Sequence, residues 1–163
     1  MYDPHQSPGG EQSGLIIPLP DLDATARLAK NLAPHLRSGD VVALTGPLGA
    51  GKTGFARSLL RVLGITGEVP SPTFTLLQTY EAGKLTISHF DLYRLKSADE
   101  LEELGWDDAL AASLVLVEWP ERAGRRLPKH ALTLRFAMDG KGVRSCGMEM
   151  PGVWAQRLKD FKP

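Results

Sequence analysis

The feature that most constrains this chain is the segment 46–53, Gly-Pro-Leu-Gly-Ala-Gly-Lys-Thr, which fits the phosphate-binding pattern Gly-x4-Gly-Lys-Ser/Thr. An apolar run at 41–44 precedes it and a helical pattern at 55–63 follows it, so strand, loop and helix come in the required order. Glycines permit a tight turn with inward-facing N–H groups, and the helix adds its positive dipole end. We therefore predict that a nucleoside triphosphate binds Gly46, Pro47, Leu48, Gly49, Ala50, Gly51, Lys52 and Thr53.

Two side chains at the end of this loop carry separate parts of the chemistry. Lys52 supplies a mobile cation for the outer phosphates, and the Thr53 hydroxyl is an oxygen ligand for Mg²⁺. An ordinary glycine-rich turn is the plainer interpretation, but it does not explain a Lys-Thr pair placed at the start of a helix. The pattern therefore favours a magnesium-dependent nucleotide site.

Length and charge limit what the chain does by itself. It has 163 residues, enough for one α/β core and too few for a separate substrate domain of any size. Lys plus Arg and Asp plus Glu each number 19, so the molecule has no net positive charge with which to hold nucleic acid alone. Any contact with RNA is therefore expected to be shared with a partner.

Cysteine, histidine and hydropathy indicate the setting. Cys146 is the only cysteine and the four histidines lack metal-ligand spacing, so neither an internal disulfide nor zinc is expected. The longest mostly apolar stretch, 109–117, has nine residues, whereas about twenty are needed to cross a bilayer. Residues 1–14 are polar, without a signal core, and are predicted to form a disordered tail. We predict a cytoplasmic protein without membrane contact.

Apolar runs and turn residues predict an α/β fold. The run 114–117 is too apolar for a half-exposed strand and is typical of a buried central one. We predict a P-loop NTPase fold with three layers and a mixed, mainly parallel central sheet, in a single domain over 15–163. Two pairs of β-like runs are joined by short loops, which predicts antiparallel hairpins: 73–80 with 84–90, and 131–137 with 143–148.

Helix signals lie on either side of these strands. Asp21 is a cap, and Ser97 with Glu100 resembles a capping box for a short helix that ends before Gly105. A closing helix is predicted at 154–161. The first helix is expected to bury one apolar face, comprising Leu22, Ala26, Ala29, Leu32, Ala33 and Leu36.

Acidic and hydroxyl side chains complete the predicted site. Glu118 follows the apolar strand 114–117, where a carboxylate for Mg²⁺ is needed, and Asp91 follows the run 85–90. Asp91 is open between a catalytic role and a capping role. Pro70 to Thr75 brings hydroxyls that could meet the γ-phosphate, of which Thr73 is the candidate; a Pro-rich strand entry is the alternative.

The base is partly predictable. GTPases of this class read guanine with an Asn-Lys-x-Asp segment, but Asn31 is the only asparagine and precedes the loop. ATP is therefore favoured. No adenine contact is identified, although 23–25 on the first helix is a weak candidate.

Together these segments resemble the bacterial TsaE family, also called YjeE, the ATPase of tRNA threonylcarbamoyladenosine biosynthesis. The resemblance covers most of the chain from Leu15 to the final hairpin. Its residues, in family order and spacing, are the loop 46–53, Ser-Pro-Thr-Phe-Thr at 71–75, His-Phe-Asp-Leu-Tyr-Arg-Leu at 89–95, Glu-Leu-Gly at 103–105 and Val-Glu-Trp-Pro-Glu at 117–121.

The resemblance implies Mg²⁺-ATP binding and hydrolysis that requires partners. Those partners are TsaD, which transfers the threonylcarbamoyl group, and its paralogue TsaB; tRNA is contacted through that complex, and hydrolysis resets it between turnovers. The implied roles are Lys52 on the β- and γ-phosphates, Thr53 and Glu118 on Mg²⁺, Thr73 at the γ-phosphate and Asp91 in the attack by water. Trp119 is implied to face a partner or to brace Glu118, with core packing as the alternative.

Two other function classes remain open. In a small-molecule P-loop kinase, Arg122, Arg125, Arg126 and Lys129 would close over phosphates as a lid, although a solvated basic loop explains them equally well. In a nucleotide-dependent binding switch, hydrolysis would be incidental and every site residue would be shared.

Overall fold

A computed structural model of the chain describes residues 14–163. Its seven strands form one sheet in the order β1-β7-β6-β2-β5-β4-β3, in which β6, β2, β5 and β4 run parallel and the remaining neighbours pair antiparallel. The strands are β1 Leu15–Leu19, β2 Val41–Thr45, β3 Leu77–Ala82, β4 Leu85–Asp91, β5 Leu114–Glu118, β6 Leu132–Met138 and β7 Arg144–Glu149.

Five α-helices and two short 3₁₀ segments accompany these strands in the described part of the chain, and the last helix follows the last strand. The helices are α1 Leu22–Leu32, α2 Lys52–Val62, α3 Glu100–Glu103, α4 Trp106–Ala112 and α5 Val153–Arg157, and the 3₁₀ segments are Ala33–His35 and Pro120–Arg126. None of the helices described over residues 14–163 has the length and apolar composition of a membrane span.

Alternation along β2 places helices on both faces of the sheet. Val42 and Leu44 pack into the core beneath α1 and α2, whereas Val41 and Ala43 pack on the opposite side with Leu101 of α3 and Trp106 of α4. The three-layer fold with a mixed, centrally parallel sheet is thus confirmed, with β5 buried beside β2, the strand that leads into the loop at 46–53.

Both predicted hairpins are present, although β3 begins later than expected. The Leu76 amide donates to the Pro72 carbonyl at 2.8 Å, and Leu76 has a φ of 65°. This left-handed residue closes a turn over 72–76, so Thr73 lies on a turn rather than on a strand.

Several helix predictions were wrong in detail. Asp21 does cap α1 by accepting from the Ala24 amide at 2.8 Å. Leu22 is 75% exposed and Ala26 is also exposed, because the buried stripe of α1 runs through Ala24 and Leu28. The other four residues of the predicted face are buried, namely Ala29, Leu32, Ala33 and Leu36. The predicted tail at 1–14 lies, except for its last residue, outside the described part of the chain.

The Ser97 capping box is not formed. The carbonyl of Ser97 accepts from the Glu100 amide in a turn, and α3 begins only at Glu100. Sequence patterns also missed α4, which follows Gly105, and placed the end of α5 four residues too late.

Candidate active site

The predicted phosphate-binding loop at 46–53 joins β2 to α2 and depends on glycine at its first position. Gly46 has a φ of 134°, and a Cβ atom there would collide with the backbone carbonyl of Phe136 on β6. Gly51, at the start of α2, has a φ of 115°. The loop therefore passes against the neighbouring strand with no room for a side chain at Gly46.

Lys52 folds back over this loop. Its Nζ donates to the Pro47 carbonyl at 2.9 Å and also to the Gly46 carbonyl, and it lies 4.4 Å from the centre of the Trp119 ring. Burial lowers the pKa of Lys52, while the nearby Glu118 carboxylate opposes that shift. The ammonium group is thus held at the mouth of the loop by backbone oxygens and an aromatic face.

Thr53 and Glu118 meet where the start of α2 approaches the end of β5. The Thr53 hydroxyl donates to Glu118 Oε1 at 2.9 Å, and His89 Nε2 lies 2.8 Å from Glu118 Oε2. Glu118 and His89 are only 2% and 1% exposed. Both carboxylate oxygens of Glu118 are therefore fixed by polar neighbours.

Asp91 stands beside Glu118 because the two residues are register partners at the ends of β4 and β5. Its Oδ1 accepts from the Tyr93 amide at 3.0 Å, and its Oδ2 accepts from the Thr73 hydroxyl at 3.3 Å. Burial raises the pKa of Asp91, and the negative charge of Glu118 acts in the same direction. Asp91 therefore makes a capping-type hydrogen bond to Tyr93 and also lies beside Glu118 in the candidate site.

Aromatic side chains border this group on the outer side. Trp119 is a left-handed residue with a φ of 57°, and its ring lies 4.9 Å from that of Tyr93. Arg94 stacks over Phe74 at 4.4 Å, and Phe74 is 79% exposed. Phe74, Tyr93 and Trp119, called the aromatic rim below, thus lie beside the turn that carries Thr73.

An open cleft of about 390 Å³ lies between the loop and the strand ends. Sequence reasoning missed two of its lining residues: Leu22, which it placed in the core, and Arg144, which enters from β7 and belongs to no local motif. None of the four basic residues suggested as a kinase lid lines the cleft. The lining also includes predicted site residues, namely Leu48, Gly49, Gly51, Lys52, Thr53, Thr73, Asp91 and Glu118.

The donor set suits a cation that is shared with a nucleotide. Among residues 14–163, no group of three or more His, Cys, Asp or Glu side chains could hold a metal ion. Mg²⁺ prefers oxygen and commonly takes one or two protein ligands together with phosphates and water. The Thr53 hydroxyl and Glu118 carboxylate, 2.9 Å apart, fit that requirement.

Comparisons with known proteins agree on one family. The family model described as "Threonylcarbamoyl adenosine biosynthesis protein TsaE" matches residues 19–146. A Rickettsia conorii protein named "tRNA threonylcarbamoyladenosine biosynthesis protein TsaE" is 49% identical over 112 residues, which are 68% of this chain and 61% of that protein. A Bacillus subtilis protein of the same name is 41% identical over 123 residues, covering 75% of this chain and 77% of its own length.

A solved structure extends the likeness to the fold. The crystal structure of YdiB from Bacillus subtilis superposes with a TM-score of 0.74 at 29% identity, over 90% of this chain and 93% of YdiB. The matches to the first two Rickettsia relatives span 61% and 63% of those proteins' lengths, which is less than two thirds.

Proposed function

This chain belongs to the TsaE family, and from that premise we propose that it is a cytoplasmic, Mg²⁺-dependent ATPase acting in tRNA threonylcarbamoyladenosine biosynthesis. Residues 15–163 act as one P-loop ATPase domain. The domain supports a complex of TsaD and TsaB type proteins, contacts tRNA only through that complex, and resets it by hydrolysis between turnovers.

The observation that carries the proposal is the meeting of Asp91 and Glu118 at the ends of adjacent parallel strands, facing the start of α2. In this account the loop amides and Lys52 bind the phosphates, and Thr53 and Glu118 hold Mg²⁺. Bound Mg²⁺ supplies charge neutralisation on the phosphates. Thr53 and Glu118 therefore orient the nucleotide as well as the ion.

Asp91 has the chemistry of a base that orients water. Its raised pKa makes the ionised carboxylate a better proton acceptor than an ordinary Asp. The bond from Thr73 to Asp91 joins the turn at 72–76 to this carboxylate, and Ser71 lies 2.8 Å from the Thr73 hydroxyl. A γ-phosphate that binds the Thr73 hydroxyl would therefore also change the hydrogen bond that this hydroxyl donates to Asp91.

Partner-dependent hydrolysis provides the test of this function. The pure chain with Mg²⁺-ATP should release little phosphate, and adding the TsaD and TsaB proteins of the same organism should stimulate release clearly. Rapid hydrolysis that is equal with and without these proteins would contradict the proposal. Transfer of the γ-phosphate to a metabolite would instead show that the protein is a small-molecule kinase.

The aromatic rim predicts where partners act. Phe74 is exposed on the turn that carries Thr73, and Tyr93 connects through Trp119 to Lys52. Phe74→Ala should raise the partner concentration for half-maximal stimulation about tenfold or more, as expected for an aromatic side chain that a partner covers on docking, without changing nucleotide affinity. Stimulated phosphate release measured against partner concentration checks this.

A matched control is Ile16→Ala. Ile16 is 74% exposed on β1 and does not line the cleft. Equal losses in the two variants, or no loss in Phe74→Ala, would remove the rim from the docking surface.

A further inference from the structure

His89 is a buried polar residue that the proposed chemistry leaves without a role. It lies on β4, where it pairs in register with Leu116, and its ring is 1% exposed. Because side chains two residues apart on a strand share a face, His89 and Asp91 face the same side of the sheet. His89 is buried and, unlike Asp91, does not line the cleft, so it reaches the Glu118 carboxylate from beneath the cleft rather than from its opening.

The direction of this hydrogen bond follows from the chemistry of Glu118. An ionised carboxylate only accepts hydrogen bonds, so His89 Nε2 is the donor to Oε2 at 2.8 Å. The other ring nitrogen, Nδ1, is buried and has no hydrogen-bond partner among residues 14–163. Within the described structure, the polar interaction of the imidazole is thus directed entirely at Glu118.

Glu118 is held from two sides as a result. Thr53 occupies Oε1 on the side of the phosphate-binding loop, and His89 occupies Oε2 on the side of the sheet. Rotation of the carboxylate towards the cleft would break the bond to His89. Donors behind a metal-binding carboxylate typically change metal affinity by about 10-fold to 100-fold when they are lost.

We propose that His89 is a positioning residue, whose Nε2–H fixes the Glu118 carboxylate in the orientation that receives a nucleotide-bound Mg²⁺. This inference rests on the proposed function, because it needs Glu118 to serve the cation. It assigns His89 no contact with the nucleotide or with the attacking water.

Two variants of similar size separate the donor from the bulk of the ring. His89→Gln keeps an N–H donor at about the position of Nε2, whereas His89→Met fills similar space without one. Mg²⁺ is titrated into each protein at a fixed ADP concentration, and ADP affinity is measured separately in EDTA. We expect the Mg²⁺ midpoint of His89→Met to rise about tenfold or more, that of His89→Gln to stay near the wild-type value, and both to bind ADP normally in EDTA.

Each alternative result is decisive. Unchanged midpoints in both variants, or equal shifts in both, would overturn the positioning role. If wild-type protein shows no Mg²⁺-dependent nucleotide binding, the proposed function fails and this inference fails with it. Should His89→Met not fold, His89→Asn replaces it, because its shorter amide cannot reach Glu118; a wild-type midpoint for Asn would then overturn the inference.

Discussion

Replacing Asp91 by Asn is expected to lower partner-stimulated ATP hydrolysis by about 100-fold to 10,000-fold, the range usual for loss of a general base. Asn keeps an oxygen for the Tyr93 amide and nearly the same shape, so ATP binding and partner docking should persist. Single-turnover phosphate release in the presence of the partner proteins measures the effect. Asp160→Asn, an identical change at an exposed site away from the cleft, is the control.

The same variant should unfold at a higher temperature than the wild type at neutral pH. Burial raises the pKa of Asp91 in the folded protein, so the folded state binds this proton more tightly than the unfolded state. The ionised form therefore destabilises the fold at pH values above the raised pKa. This cost disappears as the pH falls through that pKa to the ordinary value of a free Asp.

The pH dependence of that stability gain checks the sign. Thermal unfolding should show a higher midpoint for Asp91→Asn at pH 7 and a shrinking difference in acid. A lower midpoint at pH 7 would contradict the burial cost.

Sustained repeated tRNA modification by Asp91→Asn would show that hydrolysis is incidental and would favour the binding switch.

Gly46→Ala should have the largest effect on the fold of the site. A Cβ atom there meets a backbone carbonyl of β6, which cannot move aside as a side chain can, and the residue has a positive φ. Overpacking and left-handed strain together cost about 2–5 kcal/mol. The midpoint of thermal unfolding should fall by roughly 4–20 °C, and nucleotide binding should be lost.

Gly54→Ala makes the same chemical change in the first turn of α2. A Cβ atom at Gly54 meets nothing within 4 Å. Because Ala favours a helix over Gly by about 1 kcal/mol, this variant should be more stable than the wild type. Destabilisation of both variants by similar amounts would show that the collision with Phe136 does not explain Gly46.

Local signals predicted the parts of the fold that depend on neighbouring residues. The loop at 46–53, both hairpins and the apolar strand ending at Glu118 were each recognisable from a short stretch of sequence, and the structure confirms them. Most of the predicted buried face of α1 is buried, but Leu22 and Ala26 are exposed, because the apolar residues of this helix fit more than one packing arrangement. The capping box at Ser97 was mispredicted, since the Ser97 hydroxyl accepts from the Asp99 amide and α3 begins only at Glu100.

The candidate site was predictable for residues that directly follow a recognisable strand. Carboxylates at the ends of two strands come together once those strands are adjacent and parallel, as Asp91 and Glu118 do. Arg144 and Leu22 could not be placed this way, since they reach the cleft through β7 and α1 from distant parts of the chain. The roles assigned to Lys52, Thr53, Thr73, Asp91 and Glu118 stay predictions.

The most direct test of the account is calorimetric titration of the folded chain with a non-hydrolysable ATP analogue, with and without Mg²⁺. The account predicts binding at one site per chain that Mg²⁺ strengthens, and loss of that strengthening in Thr53→Val, which keeps the shape of the side chain without its hydroxyl. Folded wild-type protein that takes up no nucleotide in the presence of Mg²⁺ would contradict it.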